Sequence, residues 1–126
     1  MNEIFLEVPF NPVTKKNSQN IYINRSTGRR YISPSEKYKQ YARDCASVLP
    51  RIETITTPIN IKCLFYMQTR RRVDLTNLLE AIDDILVNCG IIEDDNYNIV
   101  VSHDGSRVYY DKENPRTEIY ITDAIN

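Results

Sequence analysis

The stretch Arg70-Arg71-Arg72-Val73-Asp74-Leu75-Thr76-Asn77-Leu78, followed by Asp83-Asp84 and Glu93-Asp94-Asp95, is where the sequence concentrates groups that could do chemistry. Carboxylates this dense suit a hard divalent cation. Magnesium takes oxygen ligands at about 2.0–2.1 Å and usually keeps several waters, so two or three carboxylates suffice. Arginines beside them suit phosphate, because a guanidinium grips two phosphate oxygens in a planar fork. Together these parts describe metal-assisted phosphodiester hydrolysis, with the cation stabilising charge on the phosphate and helping to generate hydroxide from water. Each residue also has a plainer reading. Asp74 stands just ahead of a helix and suits an N-cap. Asp83 and Asp84 suit a solvated helix face, Asp94-Asp95 a turn after Gly90, and the triple arginine a solubilising strand end. His103, the single histidine, falls in a turn region and reads as an exposed bystander rather than a general base. The nine tyrosines read as half-buried packing with a polar tip more readily than as base-stacking platforms.

The elements that must hold these residues follow from periodicity. Leu75 to Asn88 reads as a helix: at 100° per residue Leu75, Leu78, Leu79, Ile82, Ile85 and Leu86 fall within about 120° of one another, with Thr76, Asn77, Glu80, Asp83 and Asp84 opposite. Gly90 suits the position just past its end. An earlier helix starts at Ser33-Pro34-Ser35-Glu36, with Ser33 as cap, Pro34 in the first helical position and Glu36 closing a capping box, and stops near Leu49 before Pro50. Pro58 to Met67 alternates as a strand, with Ile59, Ile61, Cys63, Phe65 and Met67 on one face. Glu3–Val8, Ile99–Ser102, Arg107–Tyr110 and Glu118–Thr122 read as further strands, with turns at Asp104-Gly105 and Asn114-Pro115-Arg116. Ile21–Ile23 and Arg30–Ile32 flank a glycine turn as a small hairpin. The expected fold is one α+β domain over residues 1–126, a mixed sheet with two main helices packed on one face.

Composition bounds the function. The 126 residues suit one domain, and 41% hydrophobic with 26% charged is ordinary for a water-soluble globular protein. No apolar run is long enough to span a membrane and the N-terminus is not a secretory signal, so no membrane role is expected. Cys45, Cys63 and Cys89 are odd in number and far apart, which gives no disulfide framework or Cys-x-x-Cys metal site and fits a reducing cytoplasm. The net charge of −1 hides an asymmetry: residues 1–72 carry 13 Lys/Arg against 5 Asp/Glu, and residues 73–126 carry 3 against 12. Either a basic surface lies beside an acidic one, or the two halves interleave and their charges pair.

The segment Arg70 to Asp95 resembles the RusA family of Holliday-junction resolvases, small metal-dependent DNA endonucleases common in prophages. The shared pattern is a basic run (Arg70-Arg71-Arg72), an aspartate opening a helix (Asp74), Asn-Leu (Asn77-Leu78), a helical aspartate (Asp84), a glycine (Gly90) and an acidic pair (Asp94-Asp95). Pro9, Pro12, Lys15-Lys16-Asn17 and Tyr31-Ile32-Ser33 fit more loosely. Two positions depart: the family's second aspartate is Thr76 here, and its helical lysine is Glu80. Glu80 lies about 40° around the axis from both Thr76 and Asp84, so it is placed to take over the missing carboxylate. The alternative is a degraded site that binds DNA without cutting it.

The resemblance implies roles. Asp74, Asp95 and Glu80 would hold Mg2+, or Mn2+ in its place, with Asp94 an auxiliary carboxylate. Asn77 would hold Asp74 or touch the scissile phosphate, and Asp84 would orient ligands or water. Lys15, Lys16, Arg70, Arg71 and Arg72 would contact the DNA backbone, giving affinity without sequence information and a steep dependence on salt. The implied substrate is four-way or branched DNA in recombination and repair. The implied assembly is a homodimer, because a junction has two equivalent scissile positions.

Overall fold

The computed structural model describes residues 1–15, 19–34 and 36–124. In chain order these residues form β1 (Ile4–Val8), β2 (Gln19–Ile23), β3 (Arg30–Pro34), α1 (Glu36–Val48), β4 (Ile59–Met67), α2 (Leu75–Asn88), β5 (Val100–Ser102), β6 (Arg107–Tyr110) and β7 (Arg116–Asp123). One mixed five-stranded sheet runs β1-β7-β4-β5, with β6 also on β4, while β2 and β3 pair as a separate ribbon. This is the expected α+β arrangement.

β4 is the spine of the sheet. One edge pairs antiparallel with β7 from Ile59↔Asp123 to Tyr66↔Arg116. The other edge takes β5 at Ile59 and Asn60 and β6 at Leu64 to Met67, both parallel. The Asp104-Gly105 turn forms where the sequence expects it, but it does not reverse the chain. It is a kink between two collinear pieces of one edge. Gly105 takes a φ of +87°, which side chains disfavour. Side chains carry the backbone bonding that the ladder loses there: Asn60 Oδ1 accepts from the Asp104 amide (2.8 Å) and from Ser102 Oγ (2.6 Å), and the Cys63 amide donates to Ser106 Oγ (3.0 Å).

A parallel partner for β4 needs a crossover, and α2 supplies it. Strand alternation sends Ile59, Ile61, Cys63 and Phe65 of β4, Ile119 and Ile121 of β7, and Leu6 and Val8 of β1 to one face. There they meet Leu78, Ala81, Ile82, Ile85 and Leu86 of α2 and Tyr38, Tyr41 and Cys45 of α1. Each large apolar side chain buried in this layer contributes about 1.5–3 kcal/mol. The opposite face carries no helix among the described residues. On it Arg116 reaches Glu118 (2.9 Å) and Asp111 (3.1 Å) and stacks over Tyr66 (3.8 Å).

The first helix begins at Glu36, later than the Ser33-Pro34 start the sequence implies, because β3 continues through Pro34. Ser35 lies outside the described residues. No helix among the described residues is long and apolar enough to cross a membrane.

Candidate functional site

The topology gathers loops at one edge of the sheet. β1, β4 and β6 all run in the same direction, so the segments that follow them leave from the same edge. The segments after β1 and after β4 are joined by the Gln68 amide donating to Asn11 Oδ1 (2.9 Å). Between them lies a cleft of about 680 Å3, lined by Asn11, Thr14, Lys37, Arg71, Arg72 and Asp74 among others. Two members of the arginine run thus face a common space with Asp74. The third, Arg70, instead stacks over the Tyr110 ring (4.1 Å). Lys37 of α1 is a cleft residue that the sequence pattern does not single out. Its only signal is its place beside Tyr38, whose side chain packs inward.

Asp74 occupies the N-cap position of α2, but its side chain makes no capping hydrogen bond. Its backbone oxygen accepts the Asn77 and Leu78 amides (3.1 and 3.2 Å), and its Oδ2 accepts from the Asn77 side-chain amide (3.4 Å). The plain capping reading therefore fails for the side chain. Asn77 donates to the carboxylate of Asp74, which itself lines the cleft.

Further along α2, Asp84 is a hub. Lys15, from the segment after β1, donates to its Oδ2 at 2.6 Å and also lies 5.9 Å from the Tyr38 ring centre. Tyr38 is pushed up to about 12 by burial and by negative charge that includes Asp84 and Glu80. Lys15 thus pairs with Asp84 while keeping about a third of its side chain exposed. Lys16 lies outside the described residues.

The acidic loop after α2 is pinned. The Ile55 amide donates to the Ile91 carbonyl (2.9 Å), the Glu93 amide donates to Ile55 (3.0 Å), and Thr54 Oγ1 donates to the Gly90 carbonyl (2.7 Å). Gly90 adopts a φ of +74°, as its place past the helix end requires. Asp94 Oδ1 accepts from the Asp95 amide (2.7 Å), and that backbone contact draws the Asp94 carboxyl below its ordinary range. Asp95 moves the other way: partial desolvation, the contact with Asp94, and the negative charges of Asp84 and Asp83 push its pKa up. Asp95 and Asp84 therefore share one region of negative potential.

Asp83 and His103 depart from the sequence expectation. Asp83 is not on the solvated face: it is buried, and its Oδ2 accepts from His103 Nε2 at 2.8 Å. His103 is not an exposed bystander either. Its other ring nitrogen, Nδ1, donates to the Ile61 carbonyl at 2.9 Å. With Asp83 ionised, two acceptors face the two ring nitrogens, the pattern of an imidazolium. Burial alone would lower the His103 pKa, but the hydrogen bond and charge of Asp83 raise it. The pair ties α2 to β4 below the acidic group.

The carboxylates thus form two groups. Asp74, with Asn77 beside it, stands at the start of α2; Glu80 and Asp84 stand further along it, and the charge of Asp84 reaches Asp95. Asp74 and Asp84 are ten residues apart on the helix, about 15 Å along its axis. Among the described residues no three His, Cys, Asp or Glu side chains come together as a metal-holding cluster. The donor chemistry nevertheless suits magnesium, which needs only one or two protein carboxylates beside its waters.

The family model described as Endodeoxyribonuclease RusA matches residues 9–122. The chain belongs to the RusA family. A curated RusA relative, the crossover junction endodeoxyribonuclease rusA of Enterobacteria phage HK97, is 30% identical over 98 residues, covering 75% of this chain and 76% of that protein. The matched span takes in both carboxylate groups, the cleft and the arginine run of this RusA-family chain.

Proposed function

We propose that this protein is a metal-dependent endodeoxyribonuclease that resolves four-way or branched DNA by phosphodiester hydrolysis, acting as a homodimer in the cytoplasm in recombination and repair. The observation that carries the reading is the RusA-family match across residues 9–122. Two local features support it: a cleft with Arg71, Arg72 and Lys37 beside Asp74, and an Asp95 carboxyl whose pKa is raised by partial desolvation, by the contact with Asp94 and by the charge of Asp84. The first suits DNA phosphates and the second suits a cation.

The ion proposed is Mg2+, with Mn2+ able to replace it; Asp74, Glu80 and Asp95 are the candidate carboxylates, of which one or two would hold it beside its waters, with Asp94 assisting. When bound, it supplies Lewis-acid stabilisation of the phosphate and acidifies water. The chain's own residues do the rest. Arg71 and Arg72 seat the DNA backbone in the cleft. Asn77 fixes the Asp74 carboxylate. Asp84 anchors Lys15, so that one positive charge is held at a set place in the acidic group.

The test is cleavage of a labelled synthetic four-way junction with Mg2+ or Mn2+, beside linear duplex. Paired, symmetric nicks confined to the junction are expected, and Asp95→Asn should lower the rate by on the order of a hundredfold or more, because it removes charge at the cation. Tight junction binding with no cut in either metal would instead make the protein a junction binder. Glu80→Ala should weaken metal affinity, measured by calorimetry. Unchanged affinity and unchanged cleavage would remove Glu80 from the ligand set.

A further inference from the structure

The ribbon of β2 and β3 is the part of the chain that the proposed site does not use. Its register runs from Gln19↔Pro34 to Ile23↔Arg30. The tip is tightly built: the Asn24 amide donates to the Arg29 carbonyl (2.8 Å), the Gly28 amide donates to the Asn24 carbonyl (2.7 Å), and Asn24 Oδ1 accepts the Ser26 and Thr27 amides (2.9 and 3.2 Å). Gly28 takes a φ of +72°, which closes the turn. Besides each other, the two strands have one substantial neighbour among the described residues, α1, which β3 touches. A two-stranded ribbon with so little packing is not built for core stability.

Its charge is one-sided. No Asp or Glu occurs between Glu7 and Glu36, whereas Arg25, Arg29 and Arg30 all fall at the tip. All three are exposed, and no acidic side chain among the described residues forms a salt bridge with them. Three unpaired guanidinium groups on one ordered turn are the chemistry of a phosphate reader.

The ribbon's place gives it a target. β2 begins four residues after Lys15, which sits in the acidic group, and β3 leads into α1, whose Lys37 lines the cleft. Both ends of the ribbon therefore start beside the proposed site. Five residues per strand carry the tip about 17 Å outward, a length of about five base pairs of duplex at 3.4 Å per step. Two paired strands also fit the roughly 12 Å width of a major groove.

We propose that the β2–β3 ribbon is a second DNA-contacting element, an arm whose Arg25, Arg29 and Arg30 grip the phosphate backbone of a duplex arm about five base pairs from the site. The inference rests on the branched-DNA reading. It adds a contact remote from the carboxylates, so it is measured by binding alone, without cleavage.

The experiment measures binding of a labelled four-way junction in EDTA across a series of salt concentrations. Wild type is compared with the triple variants Arg25→Ala/Arg29→Ala/Arg30→Ala and Arg25→Lys/Arg29→Lys/Arg30→Lys, and with Arg51→Ala as an exposed control. Circular dichroism checks that each is folded. Three lost phosphate contacts should flatten the slope of log affinity against log salt by about 2–3 and weaken binding by about a hundredfold near 0.1 M salt. The lysine variant should keep most of the slope, and Arg51→Ala all of it. Wild-type binding with an unchanged slope and affinity in the alanine triple overturns the arm while leaving the nuclease reading intact. Weaker binding with an unchanged slope overturns the phosphate contact. No junction binding by wild type overturns both readings together.

Discussion

Asp83 and Asp84 are consecutive residues of one helix, about 100° apart around its axis, and they belong to different regions with opposite duties. Asp83 turns inward. Its side chain is 11% exposed, and it is tied through His103 to the Ile61 carbonyl of the central strand. Asp84 turns outward. Its side chain is 29% exposed and meets Lys15 at 2.6 Å, and its charge adds to the desolvation and the Asp94 contact that raise Asp95. The inward region fixes where the helix lies on the sheet. The outward region holds charge at a surface that a cation and a phosphate can reach. The difference teaches that two adjacent carboxylates can be told apart only by what lies across from them, a histidine braced on the Ile61 carbonyl in one case and a partly exposed lysine in the other.

The largest effect should come from breaking the inward region. His103→Ala leaves the Asp83 carboxylate buried without its donor, and Asp83 Oδ1 already lacks a partner. A buried charge stripped of its partner costs several kcal/mol, and the partial exposure of this pair reduces that to about 2–3 kcal/mol. Urea unfolding should show a lower midpoint with little change in slope. A midpoint within about 0.5 kcal/mol of wild type would mean that the His103 contacts contribute almost nothing net.

Asp84→Asn comes next and should do the reverse. The Lys15 pair is about a third exposed, so its loss costs stability by under about 1 kcal/mol. Cleavage should fall by about ten- to a hundredfold, because Lys15 loses its anchor and the negative potential at Asp95 weakens. If the variant instead unfolds as readily as His103→Ala while keeping its rate, the division between the two aspartates collapses.

Much of this was legible from the chain. The Leu75–Asn88 helix has the bounds its apolar spacing predicts, and β4 alternates as its sequence does. Both signals are long and periodic, so local pattern and tertiary packing agree. The RusA resemblance likewise found the family that the match over residues 9–122 shows. The Asp83–His103 pair was not legible. Asp83 sits about 40° past Leu79, at the border of the apolar arc, and its partner is 20 residues away with no periodic relation to it. The Asp104-Gly105 turn stands where its residues place it, but the path of the chain through it was not legible, for a related reason. Turn residues mark a bend but not whether the chain reverses, and here Asn60 and Ser106 side chains let the bend continue along one strand edge. Pro34 similarly suits either a helix start or a strand end, and pairing with Gln19 selects the strand.

The smallest effect sharpens the comparison by pH. His103 has a raised pKa in the folded chain, so its contribution is fully present below its unfolded value, about 6.5. It is lost as pH rises through the higher folded value. Asp83 is also raised, chiefly by burial and despite His103, so it too binds its proton more tightly when folded. Both groups therefore tilt stability the same way, downward with rising pH. The His103 part falls above about pH 6.5, and the Asp83 part falls at lower pH. Urea midpoints measured at pH 6 and pH 8 should drop for wild type by less than the full His103→Ala loss. His103→Gln should flatten that dependence, while Asp84→Asn should leave it in place. A pH slope that survives His103→Gln would move its source out of the buried pair and into the acidic group around Asp84 and Asp95.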